Sequence, residues 1–396
     1  MKDQAAIGGT ENGGLHRLAL SDEDKEVRDW FLDAMESAGL DTRIDAVGNM
    51  FGRRAGTDSD AAPVLVGSHL DSQPYGGIYD GGLGVIAALE LIRTLNDRDI
   101  DTTRPIEIVN WTNEEGSRFQ PPTQGSGVWA DKLDIKAEYA KTDAEGRTFE
   151  AELERIGYKG STPAEPTESY DSSLELHIEQ GTRLERNEMD VGIVTGVVGL
   201  SWGAVTFHGK SGHTGTTPMH DRKDALVAAG DLILRIRRLA GTLGNETVAS
   251  VGYVDVDPNS INIIPKEVTV TWGIRDPTDA VVEEGRKKVL EAAAAIAEQE
   301  EVEYEQEDRA RSSSIRFPDR PINAIERAAT ELEYDAMPVF SGAVHDAANV
   351  ASVCDTAMVF AVSEDGISHT EDEFTSWEDC YCAANTFANA TVYLAE

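Results

Sequence analysis

Residues 66–84, VGSHLDSQPYGGIYDGGLG, set His69, Asp71 and Asp80 in a run dense in glycine. Imidazole and carboxylate together are the donors that hold zinc, cobalt, nickel or manganese. The chain has eight histidines. Five of them, His69, His177, His213, His345 and His369, stand in segments rich in Gly, Asp, Glu or Ser. No cysteine falls in those segments, which argues against a thiolate zinc site. The pair Glu114–Glu115 follows the apolar run PIEIVNW. Neighbours in a strand point to opposite sides, but in the turn after it both can face one place. One carboxylate could then bind metal while the other acts as a base. Two acids at a helix N-terminus, favoured by the dipole, fit the same spacing, and spacing leaves both readings open.

Certain elements must position these groups. APVLVGSH reads as a buried strand ending in His69, and DGGLGVIAALELIRTL as the helix after it. PIEIVNWTNEEGS is a strand running into a loop, and LELHIEQG a strand whose end carries His177. Residues 21–40 read as a helix with an acidic first turn and a Gly39 stop. Residues 131–173 are polar and weakly patterned, and KGSTPAEPTES within them reads as loop. Strand–helix alternation predicts an α/β unit with a mostly parallel sheet, in which ligands bind beyond the carboxyl ends of the strands. From about Val197 the order becomes β-α-β-β-α-β: VGLSWGAVTFHG, a helix, TVASVGYVDV and EVTVTWGIRD, a long helix, then VEYEQEDR. This predicts a smaller α+β domain over 197–308, inserted into a larger one formed by 1–196 and 309–396.

Composition narrows the function classes. Acidic residues number 72 against 35 basic ones, a formal net charge of −37, so binding to nucleic acid or anionic lipid through the general surface is not expected. The acidic blocks are spread along the chain, as expected of a solvated surface, and a halophilic source would account for them. No apolar run nears the ~20 residues of a membrane span. The N-terminus lacks the apolar core of a signal peptide. Three cysteines make neither a disulfide framework nor a CxxC pair, so a cytoplasmic location is expected.

Seven segments then carry a resemblance: GSHLDSQPYGGIYDGGLGVIAALE, NWTNEEGSRF, LHIEQGTRLE, GHTGTTPM, INIIP, SGAVHDAANVA and GISHTEDEFT. In this order, over about residues 66–376, they resemble the zinc-dependent amidohydrolase branch of the M20 peptidase family. That branch includes N-carbamoyl-L-amino acid hydrolases, allantoate amidohydrolases and ureidopropionases. HIEQG and NEEGSRF favour it over the peptidases of the same family.

The resemblance implies a di-metal catalytic domain and a lid domain that also dimerises. Asp80 would bridge two divalent ions, zinc foremost, with manganese, cobalt or nickel as substitutes. His69 and His177 would complete one ion, Glu115 and His369 the other. Asp71 would orient the His69 imidazole. Glu114 would be the general base, and His213, from a partner subunit's lid, would hold the oxyanion. Arg275 would bind the substrate carboxylate as a planar fork, with Gln180 and Asn262 hydrogen-bonding substrate. The implied reaction is removal of the carbamoyl group of an N-carbamoyl amino acid, releasing the amino acid, ammonia and carbon dioxide.

Departures from the family pattern fall on the substrate side. Val344 and Ala348 stand where many members have Gly and Gln, and Leu200 where many have a polar residue. Val344 is thereby expected to reshape the pocket, and Leu200 to make allantoate less comfortable. Allantoate, a peptide or acyl substrate, and a catalytically silent binding homologue are the rival readings. His345 and Asp346 are expected to support the site, His208 and His220 to be structural, and His16 has no motif around it.

Overall fold

Val64–His69 forms a strand buried at every residue. It lies parallel to Ile106–Trp111 on one side and to Ser172–Ile178 on the other, and Asp355–Ala361 continues the parallel set. Strands covered on both faces need continuous rather than alternating apolar residues, and Leu65, Val66, Ile108, Leu174, Leu176 and Val359 supply them. Antiparallel strands flank this centre. Met50–Arg54 and Asp41–Ile44 extend one side. Val191–Val197 and Ile315–Arg316 extend the other, where Ala336–Ser341 also joins Val191–Val197, giving nine strands. Helices Gly82–Asp97, Asp319–Glu331 and Trp377–Ala395 pack on this sheet. This computed structural model describes residues 1–396. They divide into two units, Met1–Thr195 with Phe317–Glu396, and Gly196–Arg316.

Two buried arginines tie peripheral segments to the ends of the central strands. Helix Asp22–Ser37 starts at Ser21, whose Oγ accepts from Asp24 N at 3.1 Å, a cap contributing about 1 kcal/mol. Inside it Arg28 pairs with Asp24 at 2.8 Å, both side chains fully buried. The same guanidinium donates to Gly48 O at 2.7 Å and Thr112 Oγ1 at 3.2 Å. Removing one partner of such a pair costs roughly 3–5 kcal/mol, because the other charge stays buried. Arg17 donates to Leu70 O, Gln4 O, Ile7 O and Gln4 Oε1, at 2.7–2.9 Å. It thereby fastens the N-terminal segment to the chain just past His69, and burial lowers its pKa to about 10.

Residues 131–173, polar and weakly patterned in sequence, hold two short helices, Ile135–Tyr139 and Phe149–Ile156, while KGSTPAEPTES beyond them is loop. The second buries Phe149, Leu153 and Ile156, an i, i+4, i+7 stripe too short to rise above its polar neighbours.

Gly196–Arg316 forms a five-stranded antiparallel sheet. Glu267–Asp276 pairs with Gly199–His208, which pairs in turn with Glu303–Ser312. Helices Ala225–Leu243 and Asp279–Gln299 cover one face of this sheet, around Val205, Phe207, Leu232, Val270, Trp272 and Ile296. TVASVGYVDV is not one strand but two, Val248–Ser250 and Val254–Asp257, both paired with Glu267–Asp276. The last long strand continues past residue 308 to Ser312, and Ile315–Arg316 then pairs with Gly196 and Val197 of the same unit. The residues beyond 308, Arg309, Ala310, Arg311 and Ser312, carry no apolar alternation that would have marked the extension.

Candidate metal centre

The carboxyl ends of the parallel strands bring most of the expected ligands together. The strand Val64–His69 delivers His69, and the strand Ser172–Ile178 delivers His177. Asp80 returns over them at the mouth of helix Gly82–Asp97. Its Oδ1 stands 3.3 Å from His69 Nε2 and 3.2 Å from His177 Nε2. Its Oδ2 stands 3.4 Å from His369 Nε2, which is 3.7 Å from Glu115 Oε2. Two donor groups result, His69–Asp80–His177 and Asp80–Glu115–His369, each with its ligand atoms within 4.8 Å of one another and both sharing Asp80.

The tautomers say what these groups suit. His69 Nδ1 lies 2.9 Å from Asp71 O, and His177 Nδ1 lies 3.0 Å from Ile178 O. Each Nδ1 therefore carries the hydrogen, and each Nε2 offers a lone pair. His69 Nε2 is buried without a hydrogen-bond partner. It faces only acceptors, Asp80 Oδ1 and, at 3.5 Å, Glu114 Oε2. Lone pairs facing lone pairs in a buried site call for a cation between them. A proton can take that place, so the His69 pKa is well raised: burial opposes the charge, but Glu114 and Asp80 outweigh it. A divalent ion suits the same donors, and the residues therefore fit a metal centre.

The second carboxylate layer is strongly perturbed. Burial, then the charge of Asp80, raises the Glu115 pKa to about 7. Burial raises Glu114 well above the carboxylate range, against the pull of His69. Hydrogen bonding to Asp80 is the largest cause raising His369 to about 9. Glu114 and Glu115 follow the strand end at Trp111 in a turn, not on a helix.

Asp71 acts differently from the expectation. Its carboxylate lies 3.9 Å from His69 Nδ1, beyond hydrogen-bonding distance, and the backbone carbonyl of Asp71 holds the imidazole instead. The two carboxylate oxygens accept the amides of Glu114 and Glu115, each at 3.2 Å. A carbonyl two residues past a strand-end histidine curls back more easily than its own side chain, leaving the carboxylate to fix the Glu114–Glu115 turn.

Gln180 faces the cluster, donating to Asp80 Oδ2 at 2.7 Å and Ser368 Oγ at 3.2 Å. His345 is buried with its ring centroid 4.4 Å from that of His177. Burial, then His177, lowers its pKa well below the ordinary value. Glu175, His177 and His345 form a third donor group. It competes with the first for the one lone pair of His177, and Glu175 already accepts from Ser68 Oγ and Ala347 N. Asp346 accepts from Ser126 Oγ at 2.5 Å. Val344 is partly exposed after strand Ala336–Ser341, and Ala348 lies in the short helix that follows. His16 packs its ring 4.7 Å from that of Tyr75, on the loop between His69 and Asp80.

His213, Asn262 and Arg275 belong to the second unit. The short strand Gly212–His213 pairs with Ile263–Ile264, so His213 Nε2 lies 3.3 Å from Asn262 Nδ2. Arg275 is in register with Leu200 and carries its guanidinium 5.6 Å from the Trp202 ring centre. Asp276, its neighbour, accepts from Thr247 Oγ1 and Thr278 N. His208 pairs with Glu267 at 3.2 Å, and His220 lies exposed beside Asp221. Sequence reasoning passed over Ser368 and Glu373, which touch the Asp80 segment; both lie inside the GISHTEDEFT segment.

Residues 65–392 match peptidase family M20/M25/M40. An N-carbamoyl-L-amino-acid amidohydrolase of Rhizobium meliloti is 38% identical over 396 residues, covering 100% of this chain and 95% of its own length. One of Geobacillus stearothermophilus is 36% identical, covering 98% of this chain and 96% of its own. A crystal structure of an amidase of the hydantoinase/carbamoylase family from Burkholderia multivorans superposes with a TM-score of 0.96 at 41% identity, covering 100% of this chain and 96% of that one. No helix here is long and apolar enough to cross a membrane.

Proposed function

Because the chain belongs to peptidase family M20/M25/M40, whose members act on amide C–N bonds, we propose that it is an N-carbamoyl-L-amino acid amidohydrolase. The observation that carries the metal part of this reading is the buried, partnerless Nε2 of His69, facing only carboxylate oxygens. We assign His69, Asp80 and His177 to one divalent ion and Asp80, Glu115 and His369 to a second, with zinc the metal that suits imidazole and carboxylate donors best. Bound there, the ions would supply Lewis-acid polarisation of the carbonyl and a lowered pKa for water.

The chain's own groups do the rest. Glu114, buried and with a raised pKa, takes a proton from the attacking water as its oxygen adds to the ureido carbonyl. It returns that proton to the amino acid nitrogen as the C–N bond breaks, and the released carbamic acid falls apart to ammonia and carbon dioxide. The Asp71 carboxylate, gripping the amides of both glutamates, keeps Glu114 aimed. The remaining assignments rest on motif resemblance: His213 for the oxyanion, Arg275 for the substrate carboxylate, and Gln180, Asn262 and Val344 for substrate contacts. The neighbouring side chains of His213 and Asn262 support these two acting as a pair.

A homodimer through the second unit is part of the proposal. Its outer strands leave Val248 and Val254 exposed, as an edge available for pairing would. A reducing, cytoplasmic setting fits three free cysteines. Assay of the purified protein with zinc, manganese or cobalt on N-carbamoyl amino acids, allantoate and dipeptides tests the reading. Turnover of the carbamoyl compounds is expected; turnover of dipeptides alone would sink it.

A further inference from the structure

Two of the proposed ligands sit on segments far apart in the chain, Asp80 and His369, and one buried side chain grips both segments. Glu373 is 5% exposed. Its Oε1 accepts the backbone amides of Tyr79 at 3.1 Å and Asp80 at 3.0 Å. Its Oε2 accepts from Ser368 Oγ at 2.8 Å, one residue before His369. Ser368 Oγ in turn lies 3.2 Å from Asp80 Oδ2. The chain makes room for the carboxylate by glycine: a Cβ on Gly77 would stand 2.0 Å from Glu373 Oε1 and 2.5 Å from Glu373 Cβ.

This arrangement is costly unless it does something. A carboxylate buried to this degree depends on the hydrogen bonds it accepts to offset its lost hydration. The same two amides could have been satisfied by a neutral backbone carbonyl. We propose that Glu373 is a positioning residue that sets where Asp80 and His369 stand relative to one another, and thereby the spacing of the two ions they would hold. The proposal rests on the metal assignment given above. Glu373 would act through the backbone of Asp80 and the hydroxyl of Ser368. Partners that orient metal ligands in this way are typically worth about 10–100-fold in affinity.

The test titrates metal-free wild type, Glu373→Ala and Glu373→Gln with Co²⁺ by calorimetry, records the visible spectrum of the bound cobalt, and measures kcat and KM separately. Glu373→Ala should bind at least one Co²⁺ roughly 10–100-fold more weakly, with an altered cobalt spectrum and a lowered kcat at near-constant KM. Glu373→Gln keeps an oxygen for the two amides and should restore affinity and spectrum most of the way. A folded Glu373→Ala protein with wild-type affinity and spectrum would overturn the proposal, as would a Glu373→Gln protein as defective as the alanine variant. If Glu373→Ala shows no cooperative melting, Ser368→Ala is read in its place with the same expectation, and wild-type cobalt binding there overturns the proposal. Wild type that binds no cobalt would instead refute the metal assignment itself.

Discussion

The imidazole of His69 rests against Gly81: a Cβ built on that glycine would stand 2.4 Å from His69 Nε2, and the backbone there has φ +61°. Both facts exclude any other residue. Gly81→Ala would strain a conformation that L side chains rarely adopt and push the ring off the strand end. Metal content of the purified variant, measured by atomic emission after equilibration with zinc, should fall below half of wild type, and activity by at least about 100-fold, since a 1 Å misplacement can cost that much. Full metal content at wild-type rate would show that His69 does not need this seat.

Glu114 makes no contact that the fold requires of a charged group; its Oε2 faces His69 Nε2 at 3.5 Å. Glu114→Gln should therefore keep the metal stoichiometry and the melting temperature while lowering kcat by about 10²–10⁴-fold, the usual range for a general base. An unchanged kcat would remove Glu114 from the mechanism.

Asp45 gives a pH effect away from the site. It is fully buried, accepting from the amides of Val47 and Asn49 and from Asn49 Nδ2. Burial raises its pKa to about 7 despite those bonds. The unfolded value is about 4, so between about pH 4 and pH 7 the native state binds a proton that the unfolded chain has released. The associated stability is fully present below pH 4 and is lost as pH rises through 7. Guanidinium unfolding of wild type and Asp45→Asn at pH 5 and pH 8 should show the variant gaining relative to wild type by on the order of 1–3 kcal/mol at the higher pH. A pH-independent difference would mean that Asp45 is ionised throughout.

The charge of −37 repels itself. The strand Glu303–Ser312 shows it locally, with Glu303, Glu305 and Glu307 exposed in alternation. Salt at molar concentration shortens the screening length to about 3 Å. The melting temperature should therefore rise by about 5 °C or more between 0.1 and 2 M KCl, as it would for a protein from a saline cell. A melting point that falls with KCl would leave the acidity without this explanation.

Much of the parallel centre was legible because apolar runs lead into a strand-end histidine in two of its strands, as APVLVGSH does. The helix after Asp80 was legible for the same reason, in its 3.6-residue period. The short helices within 131–173 were not, because four or five buried side chains do not make a period against a polar background. Asp71 was misjudged because sequence names the side chain that is near, not whether its carboxylate or its carbonyl makes the bond. Glu373 escaped notice because its partners are backbone amides some 290 residues away, and an amide leaves no trace in residue type.

The second unit begins and ends on paired strands: Val197 is opposite Ile315, and Gly196 opposite Arg316. Its two ends are therefore held side by side by their own ladder. An insertion of this kind behaves as a cassette. Residues between those rungs can in principle be exchanged or shortened to a tight hairpin with the same pairing at its base. Recombination could thus exchange the second unit while leaving the sequence of the strands that carry His69 and His177 untouched.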